Sequence, residues 1–194
     1  MKSMIAWNPS TRRFKILLRM RNLRGVLIYG FGSVHLSNAY KVVALDFYNC
    51  NNLLVCEVKA QVHTLGTDSW RAPPDFPSCV PLIKTRTYVS GHVHWSAMDF
   101  DTNCFIISLD LGNETYGKLL CPPYPRRREF ETLGVLRDCL SIIYEDNLGT
   151  CSVWLMTEYG NQQSWAKQFT VPSDIFQYHK TLCPLHFPED GKCG

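Results

Sequence analysis

An all-β fold, arranged as an incomplete β-propeller of antiparallel four-stranded sheets, is predicted by three features of the sequence. It has many short β-rich runs, no comparable amphipathic helical stretch, and a polar turn closed by an aromatic that recurs about once per fifty residues. The clearest run, Cys56-Glu57-Val58-Lys59-Ala60-Gln61-Val62-His63, alternates apolar and polar side chains, which sets one strand face on a core and the other toward solvent. Gly25-Val26-Leu27-Ile28-Tyr29, residues 40–47, Phe105-Ile106-Ile107-Ser108-Leu109, Leu140-Ser141-Ile142-Ile143-Tyr144 and Ser152-Val153-Trp154-Leu155-Met156 are further strands, separated by Gly, Pro, Asn and Asp.

The repeat selects a propeller over a sandwich or barrel. Its turns are Ser10-Thr11-Arg12-Arg13-Phe14, Thr67-Asp68-Ser69-Trp70-Arg71, Gly112-Asn113-Glu114-Thr115-Tyr116 and Asn161-Gln162-Gln163-Ser164-Trp165, with the aromatics 56, 46 and 49 residues apart. A second series places a strand-opening glycine at Gly91 and again at Gly134. Such periods match kelch-like blades, in which one sheet cannot bury both faces alone and an aromatic at a constant position fills the gap to its neighbour. Residues 25–74, 86–125 and 133–172 read as whole repeats, 1–20 as the tail of an earlier one and 173–194 as the start of a later one. Three to four blades fall short of closing a ring, so both terminal faces are expected to stand uncovered, leaving the end blades least stable.

Composition fits one folded domain over residues 1–194: hydrophobic residues make up 45% of the chain, and no apolar run approaches the roughly 20 residues of a membrane helix. The short apolar patch before Trp7 is too brief for a signal peptide, so a soluble cytoplasmic or nuclear protein is expected. Nine cysteines, an odd count without C-x-x-C, read as reduced and mostly buried thiols, and the sequon at Asn113 has no use without secretion. Charge is uneven. Residues 1–45 carry eight basic and no acidic side chains, and the remainder carries a net −5. Without a basic, aromatic-interleaved stripe this is not the pattern of a nucleic-acid binder, and Arg126-Arg127-Arg128, next to Glu129 and Glu131, reads as a solvated loop.

No reactive constellation stands out. His92 and His94 share one strand face but lack a third metal ligand, and Cys183 with His186 is half a zinc spacing, even with Cys193 downstream. Gly30-Phe31-Gly32 sits between β segments and reads as a blade turn rather than a nucleotide loop. Asp99 and Asp101 read as turn formers, not as a carboxylate pair. Of Trp7, Trp70, Trp95, Trp154 and Trp165, four fall in repeat blocks and read as packing between blades; Trp70 and Trp165 in particular are expected to be buried.

The order of blocks resembles the plant F-box-associated interaction domain, a kelch-related region that follows the F-box. Trp7-Asn8-Pro9-Ser10-Thr11-Arg12 resembles its "WNPSTR" opening; Tyr29-Gly30-Phe31-Gly32 with Tyr40-Lys41-Val42-Val43 resembles "GFGYD…YKVV"; and His63-Thr64-Leu65-Gly66-Thr67-Asp68-Ser69-Trp70-Arg71 resembles "VYSLKTDSWR". Gly91-His92-Val93-His94-Trp95 is similar to "NGALHW", residues 106–116 to "IISFDL…ETF", and Val153-Trp154-Leu155-Met156 with Glu158-Tyr159-Gly160 and Ser164-Trp165 to "VWVMKEYG…SW". Residues 33–38 depart from the acidic turn usual there.

The resemblance implies a non-enzymatic module, without cofactor, metal or catalytic residues, that captures a target protein for ubiquitination by a cullin-type ligase. Residues 71–81, 98–103 and 121–131 are the uneven, Pro-rich inserts where specificity is expected. No segment reads as an F-box, so the chain is expected to be truncated at both ends and to meet the ligase adaptor only when an F-box is supplied elsewhere. The alternative is a carbohydrate-binding or hydrolytic propeller, since one fold serves many functions.

Overall fold

The computed structural model describes residues 4–17, 25–34, 37, 39–52, 55–99, 103–123, 130–145 and 149–172. Fourteen strands and a single 3-10 turn, Gln162–Ser164, make up the regular structure of these residues. The chain opens with a two-stranded sheet, β1 (Met4–Asn8) against β2 (Arg13–Leu17). Three four-stranded sheets follow. The first holds β3 (Val26–Val34), β4 (Ala39–Asn52), β5 (Val55–Thr64) and β6 (Trp70–Arg71), and the second holds β7 (Val80–Val89), β8 (His92–Met98), β9 (Cys104–Asp110) and β10 (Tyr116–Leu120). The third holds β11 (Phe130–Leu136), β12 (Cys139–Glu145), β13 (Thr150–Met156) and β14 (Trp165–Pro172).

Each sheet is a simple antiparallel meander, and β7 lies beside both β3 and β11, so the first strands of successive sheets line a common interior. These are the blades that the repeat predicts, within a few residues of the expected limits. Trp70, Tyr116 and Trp165 each open the last strand of a blade, and Phe14 is the second residue of β2. The first two strands therefore take the place of the outer half of a blade.

Packing follows the period-two pattern. Val93, Trp95 and Ala97 of β8, with Phe105, Ile107 and Leu109 of β9, meet Val43, Leu45, Phe47 and Val62 of the first blade. Ile106 faces the other way, onto Leu133, Leu140, Ile142, Tyr144 and Met156 of the third blade. The second blade is thus sandwiched, which is why its central strands are buried at every consecutive residue rather than at alternate ones. Val58, Ala60 and Val62 of β5 turn to the core while Glu57 and Lys59 are exposed, as the alternation predicts. Cys79 and Cys151 are buried, and Cys104, Cys121 and Cys139 are half-buried.

Four expectations need correction. Gly30-Phe31-Gly32 is not a turn but the middle of β3, where the glycines permit close approach: a Cβ at Gly30 would lie 2.4 Å from Val93 Cγ1, and one at Gly32 2.2 Å from the Tyr88 ring. Gly134 does not open a strand. It lies buried inside β11, and the true counterpart of Ser90-Gly91 is Arg137-Asp138. Both pairs have two successive residues with positive φ, the signature of a tight hairpin turn matched to strand twist. Trp70 is half-buried against the His63 ring, 5.1 Å between centroids, whereas Trp95 and Trp165 are buried.

Last, the two terminal faces differ. Leu136, Ile143, Cys151, Val153 and Leu155, on the far face of the third blade, are only 1–6% exposed. At the other end Ile5, Trp7, Phe14 and Ile16 are 59–66% exposed. One apolar face is covered and the other is not.

Candidate protein-interaction surfaces

Meander topology sorts the connections onto two ends. Within the second and third blades the first two strands are joined by the tight turns at Ser90-Gly91 and Arg137-Asp138, so the link between second and third strands falls at the opposite end. Val80 pairs with Met98 and Phe130 pairs with Glu145, so the chain also arrives at each new blade at that opposite end. The described ends of two of the three predicted specificity segments, 98–103 and 121–131, thereby lie at one end.

The described parts of these segments are well anchored. Asp99 Oδ1 accepts from Asn103 N at 2.8 Å and Oδ2 from its side-chain amide at 3.2 Å, closing the β8–β9 connection as the turn reading of Asp99 predicts. Pro122 is buried and Cys121 packs on the core between blades two and three. Segment 71–81 differs from a free loop: Phe76 packs edge-on against Tyr116, 5.3 Å between centroids, and Cys79 is buried in the core, so this connection seals the first inter-blade gap. Asp101, Arg126, Arg127, Arg128, Cys183, His186 and Cys193 lie outside the described residues.

Polar side chains at the tight-turn end tie blades together. Lys41, 6% exposed, donates from Nζ to the Leu111 carbonyl and to Glu114 Oε1 at 2.7 Å, and Arg71 meets the same carboxylate oxygen from the solvent side. Glu114 holds a positive φ of 57° in a turn whose other amides, Gly112 and Asn113, donate to Asp110 Oδ1. This clasp joins the first blade to the second, and only its residue types, not its partners, are visible in the sequence.

His92 and His94 do share a face, with ring centroids 6.1 Å apart. His92 Nδ1 lies 2.6 Å from the Ser90 carbonyl, and His94 Nε2 lies 2.9 Å from the Tyr159 hydroxyl across the second gap. Among the described residues no group of three or more His, Cys, Asp or Glu is placed to hold a metal ion. Burial, reinforced by the neighbouring His92, lowers the His94 pKa to about 3. Burial likewise raises the Tyr159 hydroxyl to about 12, and it raises the Cys79 thiol to about 12 with Lys118 only partly opposing. Near neutrality these groups are uncharged, which suits packing and not nucleophilic or acid-base work.

His94 makes the fold acid-sensitive. An unfolded imidazole titrates near 6.5 and the folded one near 3, so between those values the unfolded chain binds the extra proton. Its contribution is complete above pH 6.5 and is lost as pH falls toward 3. Urea melts at about pH 7 and pH 5 should show lower stability at the acid value. The drop should be smaller in His94→Gln; an equal drop in that variant would assign the sensitivity elsewhere.

The N-terminal sheet forms a second kind of surface, the open terminal face that an incomplete ring of blades predicts. Cross-strand pairs Ile5–Ile16 and Trp7–Phe14 put four large apolar side chains on one exposed face. Phe31 and Tyr40, also about half exposed, stack in parallel at 5.5 Å. Between β1 and the first two blades lies a cavity of about 450 Å³, lined by residues including Trp7, Tyr29, Phe31, Arg86 and Tyr88. A signal was present: Phe14 holds the repeat position, yet only two strands precede the first whole blade. No described helix is long and apolar enough to cross a membrane.

Comparison with known proteins agrees with this architecture. The family model described as the F-box associated beta propeller domain matches residues 1–190. The F-box/kelch-repeat protein At3g23880 of Arabidopsis thaliana is 31% identical over 88% of this chain and 48% of its own length. The F-box protein CPR1, from the same plant, is 25% identical over 96% of this chain and 52% of its own. The chain thus spans about half the length of the curated relatives it matches. Among solved structures, a mutant of AofleA from Arthrobotrys oligospora aligns with a TM-score of 0.46 at 10% identity, over 83% of this chain and 48% of that one. With nearly the whole length matched and blades of the expected make in place, the chain belongs to the F-box associated β-propeller domain family.

Proposed function

We propose that this chain is a non-enzymatic recognition module that holds a target protein for ubiquitination by a cullin-type ligase, with the target seated on the connections at the end of the blades opposite the tight turns. The observation that carries the reading is the family match over residues 1–190, together with relatives that are F-box proteins. The strand pairing supports it: the chain enters the second and third blades at the end opposite the tight turns, where segments 98–103 and 121–131 start and finish, the uneven inserts in which recognition residues usually lie. A carbohydrate-binding or hydrolytic role has no comparable support, since His94, Tyr159 and Cys79 are held uncharged and engaged in packing.

The test is target capture. Proteins co-purifying with the chain from plant cells are identified, and the strongest is re-tested against Asp99→Lys and against Arg137→Glu at the tight-turn end. The Asp99 variant should lose the target by tenfold or more, a change on the order of 1.4 kcal/mol, with melting lowered only slightly by the two turn hydrogen bonds it gives up, and the Arg137 variant should keep it. Capture that depends on Arg137 and ignores Asp99 would place recognition at the wrong end.

A further inference from the structure

We propose that the exposed face of the β1–β2 sheet and the adjoining cavity form a second docking site, which takes an extended, acidic segment of a partner protein with aromatic or branched aliphatic side chains at alternate positions. This rests on the reading of the chain as a binding module but uses a different face from the one that reading assigns to the target.

Geometry sets the shape of the occupant. Among the described residues β1 and β2 pair only with each other, whereas every other sheet has four strands. A two-stranded sheet is marginal on its own, and its open strand edges accept a further strand through backbone hydrogen bonds. A strand laid there presents side chains at every second residue. On its apolar face those side chains would meet Ile5, Trp7, Phe14 and Ile16. The cavity of about 450 Å³ is large enough for one aromatic anchor, the kind of side chain that dominates binding when it fills an apolar pocket.

Charge sets its sign and excludes the nearest rival. Arg12 is exposed at the β1–β2 turn, Arg13 and Lys15 alternate onto the opposite face of the sheet, Arg86 is the only charged residue among the described residues lining the cavity, and residues 1–45 contain no acidic side chain. Two copies meeting through this face would oppose like charges. A head-to-tail pair needs the far face of the third blade, and its apolar residues are already covered. What complements the site is a carboxylate-bearing strand from another protein.

The test uses the full chain and two fluorescein-labelled decapeptides, one alternating Glu with Phe and Val and one with Lys in place of Glu. Fluorescence anisotropy should show the acidic peptide binding at least about tenfold tighter than the basic one, with the difference shrinking as salt is raised to about 0.3 M. Arg86→Glu and Trp7→Ser, both at exposed positions, should each weaken the acidic peptide by about tenfold while the far-ultraviolet circular dichroism spectrum and the urea midpoint stay unchanged. Equal affinity for the two peptides, or no binding of either, overturns the proposal. So does a concentration-dependent dimer in light scattering that Trp7→Ser abolishes, which would assign the face to a second copy. Target capture sensitive to Asp99, measured on the same preparations, reports separately on the loop end, so either site can fail without the other.

Discussion

Replacing Trp165 by alanine is expected to lower the unfolding free energy by about 3–5 kcal/mol, the range for removing a large buried aromatic. Trp165 opens the last strand of the third blade, is 8% exposed, and packs in the core shared with the second blade, while its indole Nε1 donates to the Leu120 carbonyl at 3.0 Å. Two effects are therefore combined, and Trp165→Phe separates them. The phenyl ring keeps most of the packing but cannot donate, so its cost should be nearer about 1 kcal/mol. Trp70→Ala, at the matching position of the first blade, should cost less than Trp165→Ala because Trp70 is only half-buried. Urea denaturation of the three variants ranks them. An alanine variant at 165 with wild-type stability would mean that the gap between the blades is open in solution.

Glu114→Ala should be the second severe change, with a loss of about 3–5 kcal/mol, because it strips a buried ammonium of its counter-ion. Lys41 keeps the Leu111 carbonyl, but a neutral acceptor does not offset the cost of burying a full charge. Lys41→Met should be far milder, since it removes the charge along with the need to compensate it and leaves Glu114 facing Arg71 at the surface. The double variant should then be more stable than Glu114→Ala alone, a sign reversal that only a desolvated pair produces. Arg71, 58% exposed, forms the solvent-side limb, and Arg71→Ala should cost less than about 1 kcal/mol.

Much of the fold was legible because blade-forming residues obey local rules. Strand alternation in β5 and the recurring aromatics at Trp70, Tyr116 and Trp165 report burial periodicity and repeat length, which do not depend on distant partners. Legibility failed where a residue's role is set across a gap. Gly30 and Gly32 resemble turn formers in one dimension, yet they serve the approach of Val93 and Tyr88 from the next blade. Arg137-Asp138 contains no glycine and so concealed a turn that the structure places beside Ser90-Gly91 in kind. The Lys41–Glu114 contact spans 73 residues, and no spacing rule connects them. For the interaction surfaces, the segments at 98–103 and 121–131 were readable as inserts. The uncovered N-terminal face was readable from the blade count, but which of its side chains stand out was not, because an exposed and a buried strand can share the same alternation.

The tight turns at Ser90-Gly91 and Arg137-Asp138 set strand register from one end of the second and third blades. Residues added or removed at the opposite end therefore leave the pairing of Val93 with Tyr88, or of Leu140 with Val135, untouched. Inheritance of the scaffold and divergence of its specificity are mechanically separate. A lineage of such domains can acquire new binding preferences by lengthening, shortening or rewriting one set of segments, each trial being judged on recognition alone because the fold has already been decided elsewhere.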